Sequence, residues 1–200
     1  MQKIIVVGSN GSIGSAVTKL LSPDYDLISV GYSAGDYRVD LNSKESITSM
    51  YEQIGRFDAL ISVAGVSSFA TLQEASDEDF TGSLMNKLMG QVNLVRVGIN
   101  HINDNGSFTL TGGMLGQTPW PGTVPTATVN AGLEGFTRAA ALDVDRNIRV
   151  NLVNPVLVTE TAQLRGIDTS NTISAAKTAL AYKASVEGNQ TGQVLDVRSF

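Results

Sequence analysis

Along the 200 residues, short apolar runs alternate with longer stretches whose apolar positions recur at helical spacing. The runs IIVV (4–7), DLISV (26–30), ALISV (59–63), SFTLT (107–111), IRVNLV (148–153) and QVLDV (193–197) are rich in Val and Ile and bounded by Gly, Asn or Asp. They predict strands buried on both faces. Residues 12–21, 43–54, 76–102, 124–144 and 171–186 show spacing near 3.6 and predict helices. Strand then helix, repeated, implies an α/β fold: a doubly wound parallel sheet with helices on both faces. One connection breaks the pattern. Between Val30 and Asp40 there is no room for a crossover helix, so the helix between strands 2 and 3 is expected to be missing and any strand at Tyr37–Asp40 to be a stub.

Composition narrows the class. A chain of this length with 42% hydrophobic residues forms one sizeable core, and residues 1–200 are expected to make a single domain. There is no cysteine, which excludes disulfides and thiolate metal sites, and His101 is the only imidazole. A net charge of -5 without a clustered basic run argues against nucleic acid or an anionic membrane as partner. No apolar run approaches the length of a membrane span or signal segment, so the expectation is a soluble, cytoplasmic protein.

The first predicted strand runs into GSNGSIG (8–14) and then a helix. Gly8 suits a tight turn, Gly11 or the small Ser12 lets backbone approach a pyrophosphate, and Gly14 lets helix and strand pack closely. Asn10 and Ile13 complete the turn. Placed at the end of the first strand of an α/β chain, the turn points to a dinucleotide site over a merely structural turn. After the second strand, Tyr32 and Ser33 stand where a reader of the ribose 2′-hydroxyl would place an acid. No negative charge there repels a 2′-phosphate, which favours NADP(H) over NAD(H), although no arginine clamp is evident nearby. Ser33 is either a donor to that phosphate or a plain loop hydroxyl.

These motifs make the whole chain resemble a short-chain dehydrogenase/reductase of unusually short length, with a Rossmann-type fold. GSNGSIG is similar to the family's glycine motif, with Val7 in place of Thr and Ser12 in place of the middle glycine. Asp40-Leu41 resembles the pair beside the adenine, and SVAG (62–65) keeps Ala64 and Gly65 of the family's Asn-Asn-Ala-Gly. Ala140–Asp143, Asn151, Pro155 and Thr191-Gly192 also match, and Val158-Thr159 resembles the segment that holds the nicotinamide amide. The resemblance implies a small-molecule substrate and a homodimer or homotetramer built on the helices around Lys87 and Glu134. Leu84, Leu88, Val92, Leu133, Phe136 and Ala140 lie on the candidate faces.

At the catalytic positions the resemblance breaks down. The family uses an Asn-Ser-Tyr-Lys tetrad. Aligned on LEGFTRAAALD, the Tyr falls on Thr126 and the Lys on Asn130; the Ser falls on Gly113 and the Asn on Lys87, one residue from Asn86. An aliphatic hydroxyl does not titrate near neutrality as a lysine-assisted phenol does. Lys87 is either a cationic donor over a carbonyl, if desolvation lowers its pKa, or a solvated helix residue. Thr126 either bonds a substrate oxygen or, the favoured role, caps the helix it enters behind Pro125. Asn130 can bond ribose hydroxyls without shifting a neighbour's pKa. QTPWPGTVP (117–125), stiffened by prolines and carrying Trp120, is the expected mouth of the site. Two readings follow: an NADP(H)-dependent oxidoreductase on a small carbonyl or alcohol with a non-standard site, or a catalytically inactive nucleotide-binding or sensor protein.

Overall fold

Four consecutive apolar residues, Ile4 to Val7, are buried in strand β1 (Lys3–Val7), as expected for a strand covered on both faces. A computed structural model describes all residues, Met1–Phe200. The remaining strands are β2 (Asp26–Gly31), β3 (Tyr37–Arg38), β4 (Phe57–Ser62), β5 (Ile102–Thr111), β6 (Arg149–Asn154) and β7 (Val194–Asp196). They form one sheet in the order β3-β2-β1-β4-β5-β6-β7, and every neighbouring pair is parallel. The order reverses between β1 and β4, which opens a crevice at the carboxyl ends of those strands.

Helices α1 (Ser12–Leu21) and α7 (Ala175–Glu187) cover one face. There Val17, Leu21 and Tyr182 pack on Ile4 and Val6. Helices α2 (Lys44–Ile54), α4 (Gly90–Gly98) and α5 (Val124–Asp143) cover the other, where Met50, Leu94 and Leu133 pack on Ile5 and Val7. The short α3 (Asp77–Ser83) and α6 (Thr159–Leu164) complete the set. No helix is long and apolar enough to cross a membrane.

The connection from β2 to β3 contains no helix. Residues 32–36 fold back so that the Asp36 N–H donates to Ser29 O at 2.8 Å, while the Ser29 N–H and hydroxyl donate to the Asp36 carboxylate at 2.9 and 2.7 Å. This side-chain closure replaces a crossover and leaves a parallel stub of two residues, shorter than the Tyr37–Asp40 expected.

The long helix expected over 76–102 also differs. It runs as α3, then a π-helical stretch Leu84–Met89, then α4, and stops at Gly98. Residues from Ile102 onward belong to β5, because Ile102 is fully buried beside Phe57 in the sheet. Gly90 and Gly98 mark close packing: a Cβ would lie 2.8 Å from Leu41 Cβ at the first and 2.7 Å from Tyr51 Oη at the second. Of the side chains assigned to a subunit interface, Leu133 and Val92 are buried inside this chain and cannot serve. Helix α6 was not expected; its six residues are too few to show a helical period.

Candidate active site

Gly8 ends β1 at φ +86 and donates its N–H to Val30 O at 2.8 Å. A Cβ on Gly14 would stand 2.1 Å from Gly8 O, so only glycine allows helix α1 to start this close to the strand. Gly11 is the N-cap of α1 and no side chain caps it. The amides of Ser12, Ile13 and Gly14 therefore face the crevice with the positive end of the helix dipole and no side-chain acceptor. That cradle fits a pyrophosphate. Asn10 is exposed at its rim, and Ser12 Oγ accepts the hydroxyl of Thr161 at 3.3 Å.

A cleft of about 370 Å³ continues from this turn, with Gly8, Tyr32, Asp40, Leu41, Ala64 and Gly65 on its walls. Asp40 turns its carboxylate onto the N–H and Nδ2 of Asn42, at 2.9 and 3.0 Å. Ser33 is exposed beyond Tyr32, which is itself 79% exposed. Arg38 on β3 reaches the same loop, donating from Nη1 to Gly35 O at 2.7 Å. Pairing of β3 in parallel beside β2 makes it a neighbour of Gly31, a relationship that linear spacing does not display.

The π-helical stretch sits where the tetrad asparagine is expected. A π-turn takes up one residue more than an α-turn, and such turns recur at functional sites. Here it gives Asn86 and Lys87 separate tasks. Asn86 Oδ1 accepts the Val66 N–H at 2.8 Å and fixes the segment after β4. Lys87 lies against Gly65, whose Cβ, if present, would be 3.1 Å from Lys87 Cγ. One turn on, Gln91 bonds both the N–H and the carbonyl of Thr111 at 2.9 Å, which ties this helical face to the end of β5. The Lys87 ammonium has no carboxylate partner in the fold, and desolvation by the surrounding protein lowers its pKa to about 8.

Thr126 is buried at the third position of α5 and caps nothing, contrary to expectation; the N-cap is Thr123. Its hydroxyl instead donates to Ser68 O and pairs with Ser67 Oγ, both at 2.8 Å, pinning residues 66–70 across the start of the helix. One turn later, Asn130 is 2% exposed and its Oδ1 has no partner. Its amide occupies the space beside Gly113, where a Cβ would fall 2.8 Å from Asn130 Nδ2. A buried acceptor without a donor is costly, and a ligand hydroxyl arriving there would satisfy it. With the bare amides of α1, this makes the crevice fit a dinucleotide at two separated points.

Sequence reasoning missed a brace. Glu134, 7% exposed, accepts from Gln117 Nε2 and Asn154 Nδ2 at 2.8 Å each and from Arg138 at 3.1 Å, and Asn154 Oδ1 in turn accepts the Gly113 N–H at 2.8 Å. In the sequence Glu134 marks only a helix, and its partners Gln117 and Asn154 are polar residues of ordinary spacing on other elements. Beyond β6, Pro155 O accepts the Met114 N–H, Val158 is buried, and Thr159 pairs its hydroxyl with Thr172 at 2.9 Å. Trp120 is 61% exposed at the expected mouth, where its carbonyl accepts from Thr123 Oγ1.

Comparisons with known proteins agree with this geometry. The structure of lin1944 from Listeria innocua superposes with a TM-score of 0.94 at 37% identity, covering 98% of this chain and 100% of that one. A small-chain dehydrogenase in complex with NADPH superposes with a TM-score of 0.87 at 25% identity, covering 98% and 95%. Among curated proteins, carbonyl reductase family member 4 of Danio rerio is 32% identical over 125 residues, which are 60% of this chain and 53% of that protein. Hydroxynaphthalene reductase arp2 of Aspergillus fumigatus is 28% identical over 164 residues, 76% of this chain and 60% of the relative. The match thus spans between half and two thirds of these relatives' length. The family model described as Enoyl-(Acyl carrier protein) reductase matches residues 10–195. With the glycine turn, the sheet order and this match over nearly the whole chain, the protein belongs to the short-chain dehydrogenase/reductase family.

Proposed function

We propose that this protein is an NADP(H)-dependent oxidoreductase acting on a small carbonyl or alcohol, with Lys87 in place of the family's tyrosine as the source of positive charge and proton. The observation that carries this reading is that Lys87, whose stem packs against Gly65, has no carboxylate partner and is desolvated, which lowers its pKa to about 8. The NADPH-bound relative supports the cofactor, as do the bare α1 amides and the partnerless Asn130 Oδ1.

When bound, NADPH would supply a hydride to the carbonyl carbon. Lys87 Nζ then gives a proton to the oxygen, which becomes the alcohol, and recovers one from water. Before transfer, the ammonium stabilises the charge building on that oxygen, an effect of about 3 to 4 kcal/mol per well-placed donor. Asn130 would hold ribose hydroxyls, and Val158 and Thr159 would border the nicotinamide end. In this reading Thr126 is a positioning residue for the 66–70 segment, since its hydroxyl is already engaged. Homodimer or homotetramer formation belongs to the same proposal, and the exposed Ala131, Gly135 and Leu142 on α5 support it.

Lys87→Met tests the mechanism. With a panel of small ketones, aldehydes and quinones, turnover of NADPH is expected to drop about 100-fold or more, with NADPH affinity nearly unchanged. Normal turnover in the variant would remove Lys87 from the mechanism. NADPH binding with no turnover on any carbonyl would instead favour a nucleotide-binding protein without chemistry.

A further inference from the structure

We infer that Gln91 is a positioning residue for the proposed reaction, because its side-chain amide ties the turn that carries Lys87 to the end of β5; this rests on the role of Lys87 given above. The sheet leaves a gap at that point. β5 pairs with β4 only as far as Thr109, the partner of Ile61, and β4 stops at Ser62 while β5 continues to Thr111. On the β6 side the ladder goes on, and the Gly112 N–H donates to Val153 O at 2.9 Å. Successive residues of a strand bond to opposite sides, so the N–H and carbonyl of Thr111 face the edge that β4 has left. Gln91, fully buried, fills it. Its Oε1 accepts the Thr111 N–H and its Nε2 donates to Thr111 O, both at 2.9 Å, in the manner of a neighbouring strand's peptide groups.

The second hydrogen of the amide points back along the helix. Gln91 Nε2 also donates to Lys87 O at 3.2 Å, so both hydrogens and the oxygen of the amide are engaged. Lys87 lies in the π-helical stretch, where the Gly90 N–H reaches back five residues to Met85 O. One side chain thus joins the backbone that presents Lys87 to the strand end that leads into Gly112 and Gly113. That strand end is itself fixed: Thr111 Oγ1 donates to Ser62 O at 2.5 Å and accepts from Tyr182 Oη at 2.7 Å. An apolar side chain at position 91 would leave the Thr111 N–H and carbonyl buried without partners and would cut the link to Lys87 O. A displacement of about 1 Å in a group that acts on the reacting atoms can cost about 100-fold in rate, so the link bears on catalysis and not on folding only.

The test sets Gln91→Met, and Gln91→Glu as the variant of matching shape, beside Ser185→Ala, which breaks a buried hydroxyl pair to Thr109 and bonds to neither Lys87 nor Thr111. Each is measured for kcat and KM in NADPH-dependent carbonyl reduction, for melting temperature, and for the pH dependence of Lys87 labelling by trinitrobenzenesulfonate, read by peptide mass spectrometry. Both Gln91 variants are expected to lower kcat by about 10-fold or more with the KM for NADPH within about 3-fold of wild type. Their Lys87 labelling midpoint is expected to move up from about 8 toward that of an exposed lysine, because a released side chain regains water. Ser185→Ala is expected to melt lower and to keep both kcat and the midpoint. Gln91 variants that only melt lower, with kcat and labelling as in wild type, overturn the assignment. Normal turnover in Lys87→Met, or none in wild type, overturns the role of Lys87 instead. In that event the labelling midpoint still decides whether Gln91 positions Lys87: a midpoint that moves in the variants upholds it, and one that stays overturns it.

Discussion

Asn154 is shared between Glu134 and the turn after β5: its Nδ2 donates to Glu134 Oε1 at 2.8 Å while its Oδ1 accepts the Gly113 N–H at the same distance. A carboxylate on α5 thereby fixes the backbone after β5. Glu134→Leu leaves the Asn154 and Gln117 amides without their acceptor in a buried place, and hydrogen bonds to a charged group are worth about 1.5 to 3 kcal/mol each. We expect a loss of about 2 to 4 kcal/mol in urea denaturation and lower turnover. Unchanged stability would mean that the network relaxes at no cost.

Lys87 predicts opposite effects on stability and rate. Its folded pKa is about 8, against the 10.5 of an unburied lysine. Between those values the unfolded chain binds a proton that the folded chain does not, so stability rises with pH across that window. Below about pH 8 the buried charge is fully present and its cost is greatest, at most about 3 kcal/mol and less for a side chain partly open to solvent. Lys87→Met is therefore expected to be more stable than wild type at pH 7, with the gap narrowing toward pH 10.5. Carbonyl reduction needs the protonated form, so its rate is expected to fall above about pH 8, and thermal melts beside pH–rate profiles check both.

Asn130 separates binding from folding. Its amide makes no hydrogen bond to protein, so Asn130→Ala is expected to leave the melting temperature of the free protein within a few degrees of wild type. NADPH affinity is expected to fall about 10-fold, as one or two bonds to ribose hydroxyls are lost. Titration of ligand-induced thermal shift measures both quantities; unchanged affinity would place the nicotinamide ribose elsewhere.

Gly14→Val tests the cradle. Its Cβ would sit 2.1 Å from a backbone oxygen, so α1 must move away from β1 and take its amides with it. We expect undetectable dinucleotide binding together with a lower melting temperature. Gly82→Ala, at an exposed helical position where a Cβ meets nothing, serves as the control and is expected to bind normally.

Local chemistry was legible in the sequence. Strand positions, the α/β order, the glycine turn and the missing helix between β2 and β3 follow from which residues are apolar, how far apart they stand and where a chain of fixed reach must turn. Neighbours in the chain decide those matters. Partners far along it decide the rest. Thr126 became a clamp for Ser67 and Ser68 because β4's loop crosses the start of α5, and helix-entry statistics contain nothing of that loop. The division between Asn86 and Lys87 depends on a π-turn, whose extra residue shows only when backbone hydrogen bonds are formed. That Arg38 stands beside Gly31 follows only from the pairing of β3 with β2, which linear spacing does not display. The sequence determined by itself the alternation of strands and longer helices and the glycine turn that ends β1. Tertiary structure alone decided which side chains are desolvated, which are consumed as braces, and which remain free for a ligand, because burial and pairing are properties of contacts between distant segments.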